Sequence, residues 1–368
     1  MNLRWFGLVL LAPCVFAQTP DSVEPNLNES IVEIPSDWGV KLKTTVFKPP
    51  GDGPFPLVVM NHGKSAGNPH FQSRARFLNL SAEMVRLGYV VILPNRKGVA
   101  GSGGVYMGGG CAVTGMARAQ ADDVLATLAF AAKLPYVDAR RVLLMGQSHG
   151  GMTALAFAAR PAYPGVLGVV NFAGGNKSDD CNGWENNMRD AFGEWGRSAA
   201  YPSLWFYGDN DSYFPPRVYR PAHAAYVAAG AKAELVEFGV FAPGDAHGMA
   251  GHIEGVPIWL PRVKDFLARL GLPSAITSMA SHASVPAKTG FARVDDLDAV
   301  PSLSSQGRDN YRKYLAFPGS KAFVLVPDGR HWWVFGGADP VQRALDNCRK
   351  VAERCALYAV NDEVVWQQ

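Results

Sequence analysis

The chain has 368 residues, 48% apolar and 18% charged, with a formal net charge of +3. That composition supports a sizeable hydrophobic core and excludes a disordered chain. The near-balance of charge, with no clustered run of Lys or Arg, gives no footprint for a nucleic-acid partner.

In chain order, residues 1–17 read as a targeting signal peptide. "MNLRW" is short and basic, "FGLVLLAP" is apolar, and "VFAQ" offers small residues before a cut after Ala17. The apolar run is too short to span a bilayer. The expectation is therefore an exported protein, periplasmic or secreted, without stable membrane insertion. Removal of the segment takes Cys14 with it and leaves Cys111, Cys181, Cys348 and Cys355. An even number in an oxidising compartment predicts two disulfides. Cys348 and Cys355 are close in sequence within one terminal unit, which leaves Cys111 for Cys181.

Residues 18–272 read as one domain, and from about residue 30 strand-like and helix-like stretches alternate through it. "KLKTTVFK" alternates like a half-exposed strand, and "FPLVVMNHG" is a buried strand ending in a turn. The helical "FLNLSAEMVRLG", the strand "YVVILPN" and the long helix "MARAQADDVLATLAFAAKL" follow. The strand "RVLLMGQS" leads into the helix "GMTALAFAAR". "GVLGVVNFAGG", "SLWFYGDND" and "AELVEFGVF" complete the strands, with "RVYRPAHAAYVAAG" and "WLPRVKDFLARLG" as helices. Such alternation predicts an α/β fold, a mostly parallel sheet with helices on both faces. Residues 273–305 are small, polar and aperiodic, and read as a linker. Residues 306–368 read as a small α+β module. It holds a helix in "NYRKYLAF", a hairpin turning at "PDG", a helix with Asp339 as N-cap and Pro340 at its first position, and a final strand pair. Adjacent Trp332 and Trp333 must face opposite sides of their strand. The expectation is one tryptophan in the core and one exposed.

The pattern "GQSHGG" at 146–151 sits between a buried strand and a helix. Gly-x-Ser-x-Gly alone is weak evidence in a glycine-rich chain, but strand-turn-helix is the context that a nucleophile elbow needs. Ser148 is the candidate nucleophile. The His149 side chain, next to it in a tight turn, points elsewhere; its backbone N–H at the helix start is a candidate oxyanion donor. A second donor is expected at Lys64, after the bend at Gly63. Of eight histidines, His247 in "GDAHGMAGH" follows a strand and is the candidate base, with His252 as fallback. The acid is expected between serine and base, at Asp211 in "YGDND"; Asp209 is read as a turn cap and Asp245 as loop-shaping. Trp184, Met188, Phe192 and Trp195 fall at helical spacing on one face, either lining an acyl or alcohol pocket or packing on the core.

The order "GQSHGG", "YGDND", "DAHG" resembles the α/β-hydrolase superfamily. With "NHG", "NRKGVAGSGG" and "NFAGG", the chain looks like the dienelactone-hydrolase-like exported serine esterases. The resemblance implies Ser148 as nucleophile, Asp211 as acid and His247 as base, acting on a small-molecule carboxylic ester with no metal or other cofactor. One departure is that dienelactone hydrolases carry a cysteine where this chain has Ser148. The alternatives are a prolyl-oligopeptidase-like serine peptidase and a non-catalytic binding protein of the same fold.

Overall fold

The computed structural model describes residues 23–368 except 66, 109, 278–287, 318–320, 336–339 and 368. The expected leader and the expected cap at Asp339 lie outside the described residues. An eight-stranded sheet has the order β1-β2-β4-β3-β5-β6-β7-β8. Its strands are β1 (Ser30–Pro35), β2 (Lys41–Phe47), β3 (Phe55–Asn61), β4 (Val90–Pro94), β5 (Val137–Gln147), β6 (Val166–Phe172), β7 (Ser203–Tyr207) and β8 (Ala233–Glu237). From β4 onward through β3 to β8 every pairing is parallel, whereas β1–β2 and β2–β4 are antiparallel. The sequence reading missed β1. "SIVEIP" is mostly exposed along one edge, so it lacks the apolar run that marks the inner strands.

The central strands carry unbroken apolar runs, such as "PLVVM" in β3 and "VLLM" in β5, because both faces are covered. In β5, Val142 and Leu144 face one core while Leu143 and Met145 face the other. The first face carries α2 (Val113–Ala131), α3 (His149–Ala158), α4 (Trp184–Gly196) and α5 (Pro216–Ala228). The second carries α1 (Leu78–Arg86) and α6 (Val256–Arg269). Helix α3 is buried all round, as its run "GMTALAFA" requires. The segment before α1 is held by a buried ion-pair cluster, with Glu29 accepting from Arg74 Nη1 at 2.6 Å and from Arg76 Nε at 2.9 Å. The predicted alternation is therefore realised as the α/β-hydrolase architecture.

The C-terminal unit is a separate antiparallel sheet of order β10-β9-β11-β12. It comprises β9 (Lys321–Leu325), β10 (His331–Phe335), β11 (Ala356–Val360) and β12 (Glu363–Val364). Helix α7 (Ser305–Ala316) packs on one face and α8 (Pro340–Arg349) on the other. Val294, Leu297, Val300 and Leu303 pack under α7 although their stretch has no periodicity. Trp332 packs on the α8 side and Trp333 on the α7 side, so both are half-buried and neither is exposed. The two helices cover both faces, which the alternation of the strand alone does not reveal. Disulfides join Cys111 to Cys181 and Cys348 to Cys355. No helix of the described residues is long and apolar enough to cross a membrane.

Candidate active site

Strand β5 ends at Gln147, and α3 begins at His149, so the chain reverses within one residue, Ser148. Ser148 takes the positive φ itself, with φ 56° and ψ −125°. A non-glycine residue there is strained by roughly 1–3 kcal/mol, and such strain gathers at functional sites. The flanking glycines serve by absence of bulk. A Cβ on Gly146 would lie 2.1 Å from the Gly150 carbonyl oxygen, and one on Gly150 would lie 1.9 Å from the Asn61 carbonyl oxygen. The turn is held by Ser148 N–H donating to Phe172 O at 2.9 Å, and by Gly175 N–H donating to Ser148 O at 3.2 Å. The serine therefore stands at the N-terminus of α3, where the partial positive charge of the helix favours an anion.

Asp211 lies in the loop after β7. Asn210 shapes that loop, donating to Phe241 O at 3.2 Å and Gly244 O at 2.8 Å. One Asp211 oxygen, Oδ1, accepts the N–H groups of Tyr213 and Phe214, both at 2.9 Å. The other, Oδ2, faces His247 Nδ1 at 3.1 Å. The carboxylate is thus held by the backbone while one oxygen stays turned to the ring. A proton on Nδ1 satisfies that contact and leaves Nε2 with a free lone pair. His247 sits in a short 3-10 turn, Ala246–Gly251, capped by Asp245, which accepts His247 N–H at 2.9 Å. Asp245 also accepts Ser212 N–H at 3.1 Å, so it ties the acid loop to the base loop.

Gln147, immediately before the serine, donates through Nε2 to the His247 carbonyl at 2.8 Å. Tyr213 and Phe214 flank the His247 ring, with centroids 4.5 and 5.4 Å away. Among the described residues no hydrogen bond joins the Ser148 hydroxyl to His247; such contacts are often long without substrate and tighten in the reacting complex. His252 is buried against Phe241 and lies 3.9 Å from Glu254.

Gly63 packs directly on the elbow: a Cβ there would lie 3.1 Å from Ser148 Cβ and 2.4 Å from Gln147 Oε1. Lys64 follows it, with Nζ donating to Ser65 O at 3.2 Å. The His149 ring reaches the loop after β4, where its Nδ1 lies 2.6 Å from the Tyr106 hydroxyl. Burial, then the charges of Arg96 and Lys64, push the His149 pKa down to about 3. His62 is likewise held neutral, first by burial and then by Arg96.

Of the four residues on the α4 face, Met188, Phe192 and Trp195 are buried in the core, with Phe192 against Trp205 at 5.5 Å. Trp184 is half-buried, its ring 6.2 Å from Phe214, which itself touches His247. Sequence reasoning missed Gln147, Tyr213 and Phe214, and also Arg96, Tyr106 and Asn176, which gather at His149. Their only signal was position, Gln147 at the end of β5 and the others in the loops that follow β4, β6 and β7.

Comparison with known proteins supplies the following. Residues 38–177 match the family model of the X-Pro dipeptidyl-peptidase (S15 family). No curated protein sequence matches the chain. An acylaminoacyl peptidase from Pyrococcus horikoshii superposes with a TM-score of 0.52 at 14% identity, over 68% of this chain and 43% of that one. A puromycin-hydrolyzing peptidase from Mycobacterium tuberculosis gives 0.50 at 18% identity, over 66% of this chain and 39% of that one. An esterase from Pyrococcus furiosus gives 0.49 at 16% identity, over 68% of this chain and 95% of that one. The chain thus spans well under half the length of the two peptidases. The likeness to the two peptidases bears on the fold, which is that of the α/β-hydrolases.

Proposed function

We propose that this protein is a serine hydrolase that cleaves carboxylic esters through an acyl-enzyme. The observation that carries this reading is the strained Ser148 on the elbow between β5 and α3, with the Asp211–His247 pair brought to the same end of the sheet. His247 takes the Ser148 proton as the oxygen attacks the ester carbonyl. The N–H groups of His149 and Lys64 receive the oxyanion, each worth about 3–4 kcal/mol at the transition state. The alcohol leaves with the proton from His247, and water reverses the sequence to release the acid. Asp211 keeps the ring in the tautomer that offers Nε2.

The ester reading is supported by the charges at the site. The two carboxylates in contact with His247 are committed, Asp211 to the ring and to two backbone N–H groups, Asp245 to Ser212 and to His247 N–H. Neither is left to receive the ammonium of a peptide N-terminus. Peptide cleavage is the second reading, favoured by the family model over residues 38–177. Export is part of the proposal and is supported by the two disulfides. The deciding experiment compares short p-nitrophenyl esters with aminoacyl p-nitroanilides, using wild type and Ser148→Ala. Ester turnover that exceeds amide turnover and disappears in Ser148→Ala supports the proposal. Faster amide cleavage moves the assignment to a peptidase, and turnover unchanged in Ser148→Ala removes Ser148 as nucleophile.

A further inference from the structure

Behind the two proposed oxyanion donors lies a buried cation that the mechanism above does not use. Arg96, just after β4, is only 5% exposed. Among the described residues its guanidinium makes no ion pair. Asp123, whose charge it feels, is taken up by Lys97, through Nζ at 3.4 Å and the backbone N–H at 3.0 Å. Arg96 Nη2 donates to the His62 carbonyl, and its backbone N–H donates to His62 Nε2 at 3.2 Å. Its remaining terminal nitrogen, Nη1, is buried and has no hydrogen-bond partner among the described residues.

The guanidinium also lies against the Tyr106 hydroxyl, which in turn is 2.6 Å from His149 Nδ1. One side chain therefore reaches both halves of the proposed oxyanion site. It grips the His62–Lys64 segment by a carbonyl, and it reaches His149 through Tyr106. The protons follow from these contacts. His62 Nε2 accepts, so its proton is on Nδ1, which donates to Gly63 O at 2.6 Å. His62 and His149 then bring no charge of their own, and Arg96 does, since a guanidinium stays protonated in a protein.

We propose that Arg96 is a positioning residue for the Ser148 reaction, locking the His62–Lys64 segment and His149 at the spacing an oxyanion needs and facing that oxyanion with a standing positive charge. The inference rests on the Ser148 reading. In the resting protein Asp123, whose charge it feels, is held by Lys97; in the tetrahedral intermediate the charge gains an anion of its own. An interaction that strengthens only as the reaction proceeds raises kcat rather than lowering KM.

The test uses the full chain and a p-nitrophenyl ester, with Arg96→Met, Arg96→Lys and Tyr106→Phe, each checked for a cooperative melt. Arg96→Met is expected to lose about 10²-fold in kcat, comparable to removal of an oxyanion donor, with KM changed by less than about threefold. Arg96→Lys restores charge without the fork and is expected to recover roughly tenfold of that loss. Should Arg96→Met fail to fold, Tyr106→Phe carries the test, since it cuts the link to His149 and keeps the ring. It is expected to lower kcat by about tenfold at constant KM. A kcat in Arg96→Met or Tyr106→Phe within about threefold of wild type overturns the inference, as does a rise in KM that accounts for the whole loss. Arg96→Lys no better than Arg96→Met removes the part assigned to charge. Activity that survives Ser148→Ala points instead to failure of the serine reading, whatever the Arg96 variants do.

Discussion

His149 makes the structure sensitive to acid in a way that is open to measurement. Its pKa falls from 6.5 to about 3 on folding, first through burial and then through the charges of Arg96 and Lys64. The unfolded chain therefore binds a proton that the folded chain refuses. Stability rises with pH between about 3 and 6.5, is whole above the unfolded value, and is lost as pH falls. At about pH 5 the unfolded histidine gains RT ln(1 + 10^1.5), about 2 kcal/mol, while the folded one gains almost nothing. Replacing it by His149→Gln keeps an acceptor for the Tyr106 hydroxyl and removes the titration. Urea unfolding, followed by far-ultraviolet circular dichroism, is compared at about pH 7.5 and about pH 5 for both proteins. Wild type is expected to lose about 2 kcal/mol more than His149→Gln over that interval. Parallel losses in the two proteins would refute the reasoning, because a histidine that charges freely in the fold contributes no such difference.

Other outcomes follow from particular contacts. Glu29→Ala strips the buried partner from Arg74 and Arg76, and should destabilise the chain by about 3–5 kcal/mol in chemical denaturation. Gly150→Ala drives a Cβ to 1.9 Å from the Asn61 carbonyl oxygen, so it should lower the melting temperature, with a cost of about 1–3 kcal/mol or more. Gly63→Ala presses on Gln147 Oε1 and Ser148 Cβ. It should cut ester turnover on the order of 10²-fold with the protein still folded, as expected when reacting groups move by about 1 Å. Replacing Cys111 and Cys181 by serine opens a link across 70 residues. The chain-entropy model sets that loss at about 4 kcal/mol, and a denaturation midpoint equal to wild type would show that the link does not constrain the unfolded chain.

Much of the fold was legible because strands buried on both faces read as unbroken apolar runs. β3, β4 and β7 are of this kind, and each was placed from "PLVVM", "VVILP" and "SLWFY". Strand β1 was not, since an edge strand has no such run. The α4 face was read with correct spacing, yet spacing cannot say whether a face meets a pocket or a core. Met188, Phe192 and Trp195 went to the core because α4 packs along α5, with Phe192 against Trp205 of β7. Val294 to Leu303 gave no periodic signal because an irregular segment packs residue by residue.

For the site, chain order alone singled out Ser148, Asp211 and His247, because a nucleophile elbow requires a strand, a tight turn and a helix, and later strand ends must supply the rest. The element order from β2 onward and both cysteine pairings were likewise present in one dimension. Only the tertiary structure decided which Asp211 oxygen faces His247, that Gln147 ties the elbow to the His247 loop, and that Arg96 and Tyr106 stand behind His149. The reason is physical. Secondary structure follows from local periodicity, whereas the contacts to His247 and His149 join residues 36 to 100 positions apart. They exist only once a parallel sheet has brought the carboxyl ends of its strands together.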